Sequence, residues 1–319
     1  MNSFLYLSNV ISSAIDLPEL PKTTGDENAA YYFFLSESCL TEEKTELITP
    51  IYHWRSESDN TISLSLAKSG TIYQLIFPTV ALFEIRYETK SITAYAHPKT
   101  TVATIRHLLL DQVLPRVFAH FKNWTLFHAS SVIFKDRIIC FIGDSGYGKS
   151  TLAAACTENG FAMPSDDCTR LFEKNGQIFA MPNYYGLRLF TDSIAQTAIQ
   201  SGAEQPTQTG NRGKIRILSK QPPMAQPVAA LFLLADPLRR VDVGRQECKI
   251  SSCNRADIVI SLLKYCYCLD VHDENYIKSQ FLQVSSIASS DLPIYNLCHK
   301  RDFRELSKTV RAIKDKLKR

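Results

Sequence analysis

The sequence predicts an α/β protein in two parts: a β-rich α+β segment over residues 1–124, and over 125–319 a domain in which a strand runs through a glycine loop into a helix. Three observations carry that reading. Residues 61 to 97 alternate apolar and polar with period two, the run Arg137-Ile138-Ile139-Cys140-Phe141-Ile142 leads straight into Gly143, and a helix-forming stretch begins where the glycines end. A chain of 319 residues with 45% hydrophobic side chains can bury one large or two modest cores, which excludes collagen, general disorder and miniature disulfide scaffolds.

Taken in order, Ile62, Leu64 and Leu66, then Tyr73, Leu75 and Phe77, then Phe83, Ile85 and Tyr87 mark an antiparallel β region. Val102, Ile105, Leu108, Leu109, Val113, Val117, Phe118 and Phe121 follow helical spacing, with Pro115 marking a kink or a fresh start. Residues 130 to 134 and 137 to 142 suit two strands around the tight turn Lys135-Asp136, and residues 149 to 158 suit a helix stopped by Asn159-Gly160. A further hairpin is signalled by residues 168 to 172 and 177 to 181 around Asn175-Gly176. Residues 201 to 227, rich in Gly, Gln, Thr and Pro and carrying Arg212, Lys214 and Arg216, are too long for an idle connection and read as a lid or a disordered insert. Residues 228 to 235 form an apolar strand, and 256 to 267 and 274 to 288 read as helices. A last helix starts near Phe303, with Asp302 and Glu305 spaced for a capping box and Leu306, Val310, Ile313 and Leu317 on one face.

The net charge of +4 is a property of the C-terminus: residues 301 to 319 hold eight Lys or Arg against three Asp or Glu, so the rest of the chain is slightly acidic. This argues against a general nucleic-acid surface and leaves an amphipathic covering helix as the simplest account of the tail. The longest apolar run falls far short of the roughly 20 residues that span a bilayer, and no Lys or Arg precedes Lys22. No membrane partner is expected, and the cytoplasm is the expected compartment. Nine cysteines scattered through apolar segments, Cys140, Cys156 and Cys168 among them, read as buried thiols in a reducing environment.

The sharpest motif is Gly143-Asp144-Ser145-Gly146-Tyr147-Gly148-Lys149-Ser150, followed by Thr151. It matches G-x-x-x-x-G-K-[ST], a phosphate-binding loop that chance places in about one chain in a hundred of this length. Glycines let backbone N–H groups turn inward around phosphate oxygens, and the following helix points its positive end at them. Lys149 would bridge the outer phosphates and Ser150 would offer a hydroxyl to a metal ion. Downstream, Ser165-Asp166-Asp167 lies where the next strand would end. Two adjacent carboxylates can divide the work of holding a magnesium ion and accepting a proton from an attacking hydroxyl. An Asp-Asp turn without chemistry is the plainer reading, which the position after a phosphate loop outweighs. Arg188, Arg212 and Lys214 are candidates to neutralise a transferring phosphoryl group, each equally readable as a solvated loop charge. Cys266, Cys268 and His272 lack a convincing fourth ligand for zinc, and His107 and His120 read as packing or surface residues.

The run Phe127-His128-Ala129-Ser130, the loop 143–150, Pro164-Ser165-Asp166-Asp167 and Gly186-Leu187-Arg188-Leu189 together resemble the catalytic domain of the HPr kinase family. The likeness is strongest to its relatives in peptide-modification gene clusters, such as lasso-peptide tailoring kinases. Leu292-Pro293-Ile294-Tyr295-Asn296-Leu297 and Arg301-Asp302-Phe303 resemble that group's C-terminus. The resemblance implies a fold similar to phosphoenolpyruvate carboxykinase and magnesium-dependent transfer of the γ-phosphate of ATP or GTP to a serine hydroxyl. It implies His128 as an active-site histidine and Asp166 and Asp167 as the carboxylates that serve as base and metal ligand; Asp166 is favoured as base and Asp167, beside Ser150 of the loop, as metal ligand, with the order of the pair open. Thr151 and Ala129 stand where the HPr enzymes usually carry Glu and Gly.

The reading is therefore a kinase acting on a peptide or small protein, with Asp166, His128, Lys149 and Arg188 as catalytic residues and the part before residue 125 recruiting substrate. A small-molecule kinase and a nucleotide-dependent switch remain the alternatives, and the acceptor, the base of the nucleotide and homo-oligomerisation stay open.

Overall fold

The computed structural model describes residues 1–24, 29–41, 45–56, 60–190, 214–218, 221–235, 248–300 and 302–318, of which 188–190, 214–218 and 303 are placed by their backbone. They fall into two compact units, Met1–Phe121 with Cys268–Asp273, and Lys122–Tyr267 with Glu274–Arg319. Both are mixtures of sheet and helix. Among the described residues no helix is long and apolar enough to cross a membrane.

The first unit is built on one nine-stranded sheet: β1 (Asn2–Tyr6), β2 (Asn9–Ser13), β3 (Lys22–Thr23), β4 (Tyr31–Leu35), β5 (Tyr52–Arg55), β6 (Ile62–Ser69), β7 (Ile72–Phe77), β8 (Ala81–Arg86) and β9 (Ser91–Ala96). Their spatial order is β3-β1-β2-β4-β9-β8-β7-β6-β5. The period-two segments 61 to 97 form β6 to β9 as an antiparallel meander. β1 to β5 extend this sheet, with β4 parallel to both β2 and β9. One face carries Tyr6, Tyr31, Phe33 and Phe83, and receives Phe118, whose ring lies 5.4 Å from Tyr6 and 5.7 Å from Tyr31. The opposite face carries Ala67, Ile76 and Leu82 beneath Leu40.

Phe118 sits on α2 (Leu114–Phe121), which continues from α1 (Val102–Leu108) through a single π-turn at Leu109–Val113. Pro115 explains the joint. It has no N–H to donate and its ring crowds the carbonyl four residues back, so the turn before it widens and the Leu114 N–H reaches Leu109 O, five residues away.

The second unit contains β10 (Thr125–Phe127), β11 (Ala129–Phe134), β12 (Arg137–Ile142), α3 (Lys149–Glu158), β13 (Ala162–Ser165), β14 (Thr169–Lys174), β15 (Gln177–Pro182), β16 (Gly186–Phe190), β17 (Lys214–Leu218), β18 (Gln226–Leu234), β19 (Cys248–Ser252), α4 (Arg255–Tyr265), α5 (Glu274–Ser289), β20 (Ile294–His299) and α6 (Phe303–Leu317). β12, β18 and β20 are parallel neighbours at the centre. β11 lies antiparallel between β12 and β13, and β10, β14 and β15 extend the sheet beyond the first residues of β18. Both hairpin turns foreseen from sequence have two successive residues at positive φ, Lys135 and Asp136 in one and Asn175 and Gly176 in the other, as a two-residue turn between twisted strands requires.

Alternation along β12 shows why its sequence is continuously apolar. Ile139 and Phe141 pack with α3 and α6 through Leu152, Cys156, Leu306, Val310 and Ile313. Ile138, Cys140 and Ile142 pack on the other side with Ile258 and Leu262 of α4 and Val284 and Ile287 of α5. Helices thus cover both faces, the arrangement that fully apolar central strands demand.

Four local readings are revised. The helix expected over 256 to 267 stops at Tyr265, because residues 265–267 pair with the strand edge at 126–128. Within the expected insert 201 to 227, residues 214–218 form β17 against β16, with Arg188 opposite Arg216, while Arg212 and most of the expected lid lie outside the described residues. Asp302 caps α6 by accepting from the Arg304 N–H, and the Glu305 carboxylate meets Lys308 at 2.8 Å, so the capping box is not formed as expected. Finally, Cys39 is exposed although Cys140, Cys156 and Cys168 are buried as foreseen, and none of the nine thiols is in a disulfide.

Candidate functional site

Strand register brings the sequence motifs to one end of the second sheet. Ala129 at the start of β11 stands opposite Ile142 at the end of β12, and Ser131 stands opposite Ser165 at the end of β13. His128 before β11, the loop 143–148 after β12 and Asp166-Asp167 after β13 therefore all emerge at that end. β18 and β20, parallel to β12, finish there too. The carboxyl ends of parallel strands are where open α/β sheets bind ligands.

The loop is shaped by close packing and by backbone freedom. A Cβ on Gly143 would come within 3.0 Å of the Leu234 Cβ and 3.3 Å of the Leu234 carbonyl, so a side chain there would force β12 and β18 apart. Gly148 caps α3 with φ of +88°, in the left-handed region, and lets the backbone turn directly into the helix. Lys149 is buried and its ammonium donates to the carbonyls of Gly143, at 2.7 Å, and Asp144, at 3.0 Å. Ser150 and Thr151 follow in the first turn of α3, both half-buried, and Ser145 and Gly146 are the exposed tip of the loop.

Asp144 anchors that loop to the end of α4. Its carboxylate accepts from Lys264 Nζ at 2.8 Å and from the Tyr265 hydroxyl at 3.1 Å. Burial, and next the Asp144 charge, push the Tyr265 phenol well above its ordinary pKa, so it stays a donor to that carboxylate.

The Asp pair lies in a strained turn. Cys168 N–H donates to the Asp166 carbonyl at 2.9 Å across Asp167, whose φ is +70°, a γ-turn that non-glycine residues rarely adopt. Such strain persists only where surrounding contacts fix it. Here His128 Nδ1 lies 3.1 Å from the Asp167 carbonyl, and the Tyr267 hydroxyl donates to the same oxygen at 2.9 Å. His128 Nδ1 also lies 3.3 Å from the Tyr267 oxygen. With that hydroxyl's proton already given to Asp167, the network assigns a proton to His128 Nδ1.

Asp166 is 2% exposed. Its Oδ1 accepts from the buried Ser130 hydroxyl at 2.5 Å, while its Oδ2 is buried with no protein partner among the described residues. A carboxylate oxygen oriented by one hydroxyl and otherwise unmatched can take a proton or a metal ion, which is the fit expected of a magnesium nucleotide site. The glycine cradle and Lys149 fit the phosphates of the same ligand.

Arg188 is placed on β16 and Lys214 on β17 by backbone alone. Ser130 stood in the run 127–130 without a role of its own, and three further contributors had no signal in the sequence reading: Lys264, Tyr265 and Tyr267. The last two share a spacing of two residues, as they must to face one side of the extended segment paired with β10. Tyr267 N–H donates to the Leu126 carbonyl, His128 N–H donates to the Tyr265 carbonyl, and Cys266 stands opposite Phe127. The C-x-C spacing weighed for zinc thus includes a residue that serves strand pairing.

No family model matches this chain and no curated protein matches it. Among solved structures, the HPr(Ser) kinase/phosphatase from Coxiella burnetii is similar over 61% of this chain and 99% of that one, at 13% identity and a TM-score of 0.30. That likeness is too weak to carry fold or function to this chain.

Proposed function

We propose that the second unit is a kinase domain that binds magnesium ATP or GTP at 143–151 and transfers its γ-phosphate to a serine hydroxyl of a peptide or small protein. The observation that carries the reading is the convergence at one sheet end of a glycine loop with a lysine, a buried carboxylate with one unmatched oxygen, and a histidine held against the same turn. The nucleotide supplies the phosphoryl group, and its ion neutralises charge on the phosphate oxygens.

This chain's residues do the rest. Lys149 exchanges two loop carbonyls for phosphate oxygens, a stronger, charge-assisted partnership. Ser150 and Asp167 would hold the ion. Ser130 keeps Oδ1 of Asp166 occupied so that Oδ2 takes the proton of the acceptor hydroxyl. His128 and Tyr267 fix the turn that carries both carboxylates, and Arg188 is assigned from sequence to the charge of the transferring group. The N-terminal part recruits the acceptor, and the resemblance to lasso-peptide tailoring kinases makes a precursor peptide the acceptor of choice.

The test is Lys149→Ala in the full chain with radiolabelled nucleotide and candidate precursor peptides. Transfer should fall on the order of 10³-fold, the scale for a charge-stabilising donor. The variant also forfeits two hydrogen bonds worth roughly 1–3 kcal/mol in total, so circular dichroism must show the fold retained. Undiminished transfer in the folded variant overturns the assignment.

A further inference from the structure

On β14 the period-two alternation puts Arg170, Phe172 and Lys174 on one face of the sheet and Leu171 and Glu173 on the other. Leu171 joins the core beside α4 and α5, and Glu173 accepts from Ser286 of α5 at 3.4 Å. The first face is a ladder of cations and rings. The Arg170 guanidinium lies 3.7 Å from the Trp124 ring centre and 4.6 Å from that of Phe172. Phe172 stacks on Phe179 at 6.0 Å, and Lys174 Nζ stands 5.7 Å from the Phe179 ring.

Arg170 is the unusual member. It is half-buried, its Nε is enclosed, and among the described residues its guanidinium meets no carboxylate and makes no hydrogen bond. Burial depresses its pKa to about 10, and among the described residues no anion offsets the loss of water. A half-buried cation without a counter-ion is costly, whereas aromatic rings against a guanidinium plane pre-organise its fork for a planar, two-oxygen anion.

We infer that Arg170, held between Trp124 and Phe172, is a docking site for a carboxylate of the acceptor, an acidic side chain of an extended peptide. This deepens the kinase reading and rests on it. Arg170 stands four residues beyond Asp166, on the strand that leaves the γ-turn at Asp167. The site therefore selects an acceptor that carries an acidic residue along the chain from its serine, with Lys174 favouring a second acid farther along. Charge complementarity commits the occupant: the face offers two cations, and the carboxylate of β14 points to the opposite side.

The experiment measures fluorescence anisotropy of a labelled peptide of alternating Glu and Gly around one Ser, against its Gln counterpart, on the full chain without nucleotide. The Glu peptide should bind about tenfold more tightly than the Gln peptide. Arg170→Met should erase that preference, and Arg170→Lys, which keeps the charge but loses the planar fork, should keep only part of it. Equal binding of the two peptides by the unaltered protein overturns the proposal, and so does an undiminished preference in Arg170→Met. Displacement of the Glu peptide by equimolar inorganic phosphate also overturns it, because the site would then read phosphate. Binding is read without nucleotide, so failure here leaves the kinase reading intact, while failure of the Lys149→Ala test bears on the nucleotide site alone.

Discussion

The two sheets differ in what lies at the ends of their strands. In the first unit, the meander β6 to β9 turns over at short connections, and a buried carboxylate, Glu19, is paired with Arg106 at 2.7 Å. Both sheets hold three parallel neighbours, β2, β4 and β9 in the first and β12, β18 and β20 in the second, so strand direction alone does not separate them. What sets the second apart is the antiparallel trio β12, β11 and β13, whose register brings the glycine loop after β12, the carboxylate pair after β13 and the histidine before β11 to one end. The lesson is that both sheets bury comparable aromatic cores, Phe33, Phe83 and Phe118 in one and Phe127, Phe141 and Phe232 in the other, while they differ in the polar residues that register gathers at their strand ends.

The largest effect expected from that contrast is at Asp166. Asp166→Asn keeps the shape and the Ser130 contact but cannot take a proton, so transfer should fall ~10²- to 10⁴-fold with nucleotide affinity nearly unchanged. Ser130→Ala, which only frees the carboxylate to rotate, should cost less. Single-turnover rates beside nucleotide titrations separate the two. If Asp166→Asn turns over normally, the second sheet's end is no more catalytic than the first's.

A smaller pair of effects compares one backbone feature across the units. Gly148 and Gly70 both have positive φ, +88° and +60°. A methyl group on Gly70 meets nothing within 4 Å, and one on Gly148 meets only the His299 ring, at 4.0 Å. The stability cost of Gly→Ala should therefore be similar at both, roughly 1–2 kcal/mol of left-handed strain. Only Gly148→Ala should weaken nucleotide binding, since it alone reshapes the loop before Lys149. Urea titrations give the first quantity and calorimetric nucleotide binding the second; equal nucleotide affinities in the two variants would detach the loop from phosphate binding.

What the sequence disclosed follows the range of the forces involved. β12, the glycine loop and α3 were legible because their causes are local: an apolar run, glycines at turns, a good helix former. Asp166 and Asp167 were legible because they follow the loop at a short interval. His128 was legible with them, but the partners from far along the chain were not. Tyr267 reaches Asp167 across 100 residues and Lys264 reaches Asp144 across 120, and no spacing rule reports such meetings. The helix expected through residue 267 stops early because an open strand edge at 126–128 competes for its backbone, a tertiary influence on a locally helical sequence. β17 was hidden by its surroundings, since the alternation of Ile215 and Ile217 is brief and the flanking composition is polar.

The gentlest difference concerns acid. His120 of the first unit is 7% exposed at its side chain, faces the Tyr73 hydroxyl at 3.4 Å and lies 3.6 Å from Asp273. Burial lowers its pKa below the ordinary value, outweighing the carboxylates of Asp273 and Asp270, and Lys68 adds to the lowering. The sign follows from linkage: the unfolded chain binds the proton more readily, so this group's contribution is fully present above its unfolded pKa, about 6.5. It is lost as pH falls through the lower folded value. The first unit should therefore lose hydrogen-exchange protection around β7 and α2 as pH drops from neutral through this window. His120→Gln, which fills similar space without titrating, should flatten that dependence while lowering stability slightly at neutral pH. A dependence equally steep in His120→Gln would assign the acid sensitivity to another group, and a dependence of opposite slope in the unaltered protein would mean that Asp273, rather than burial, dominates the site.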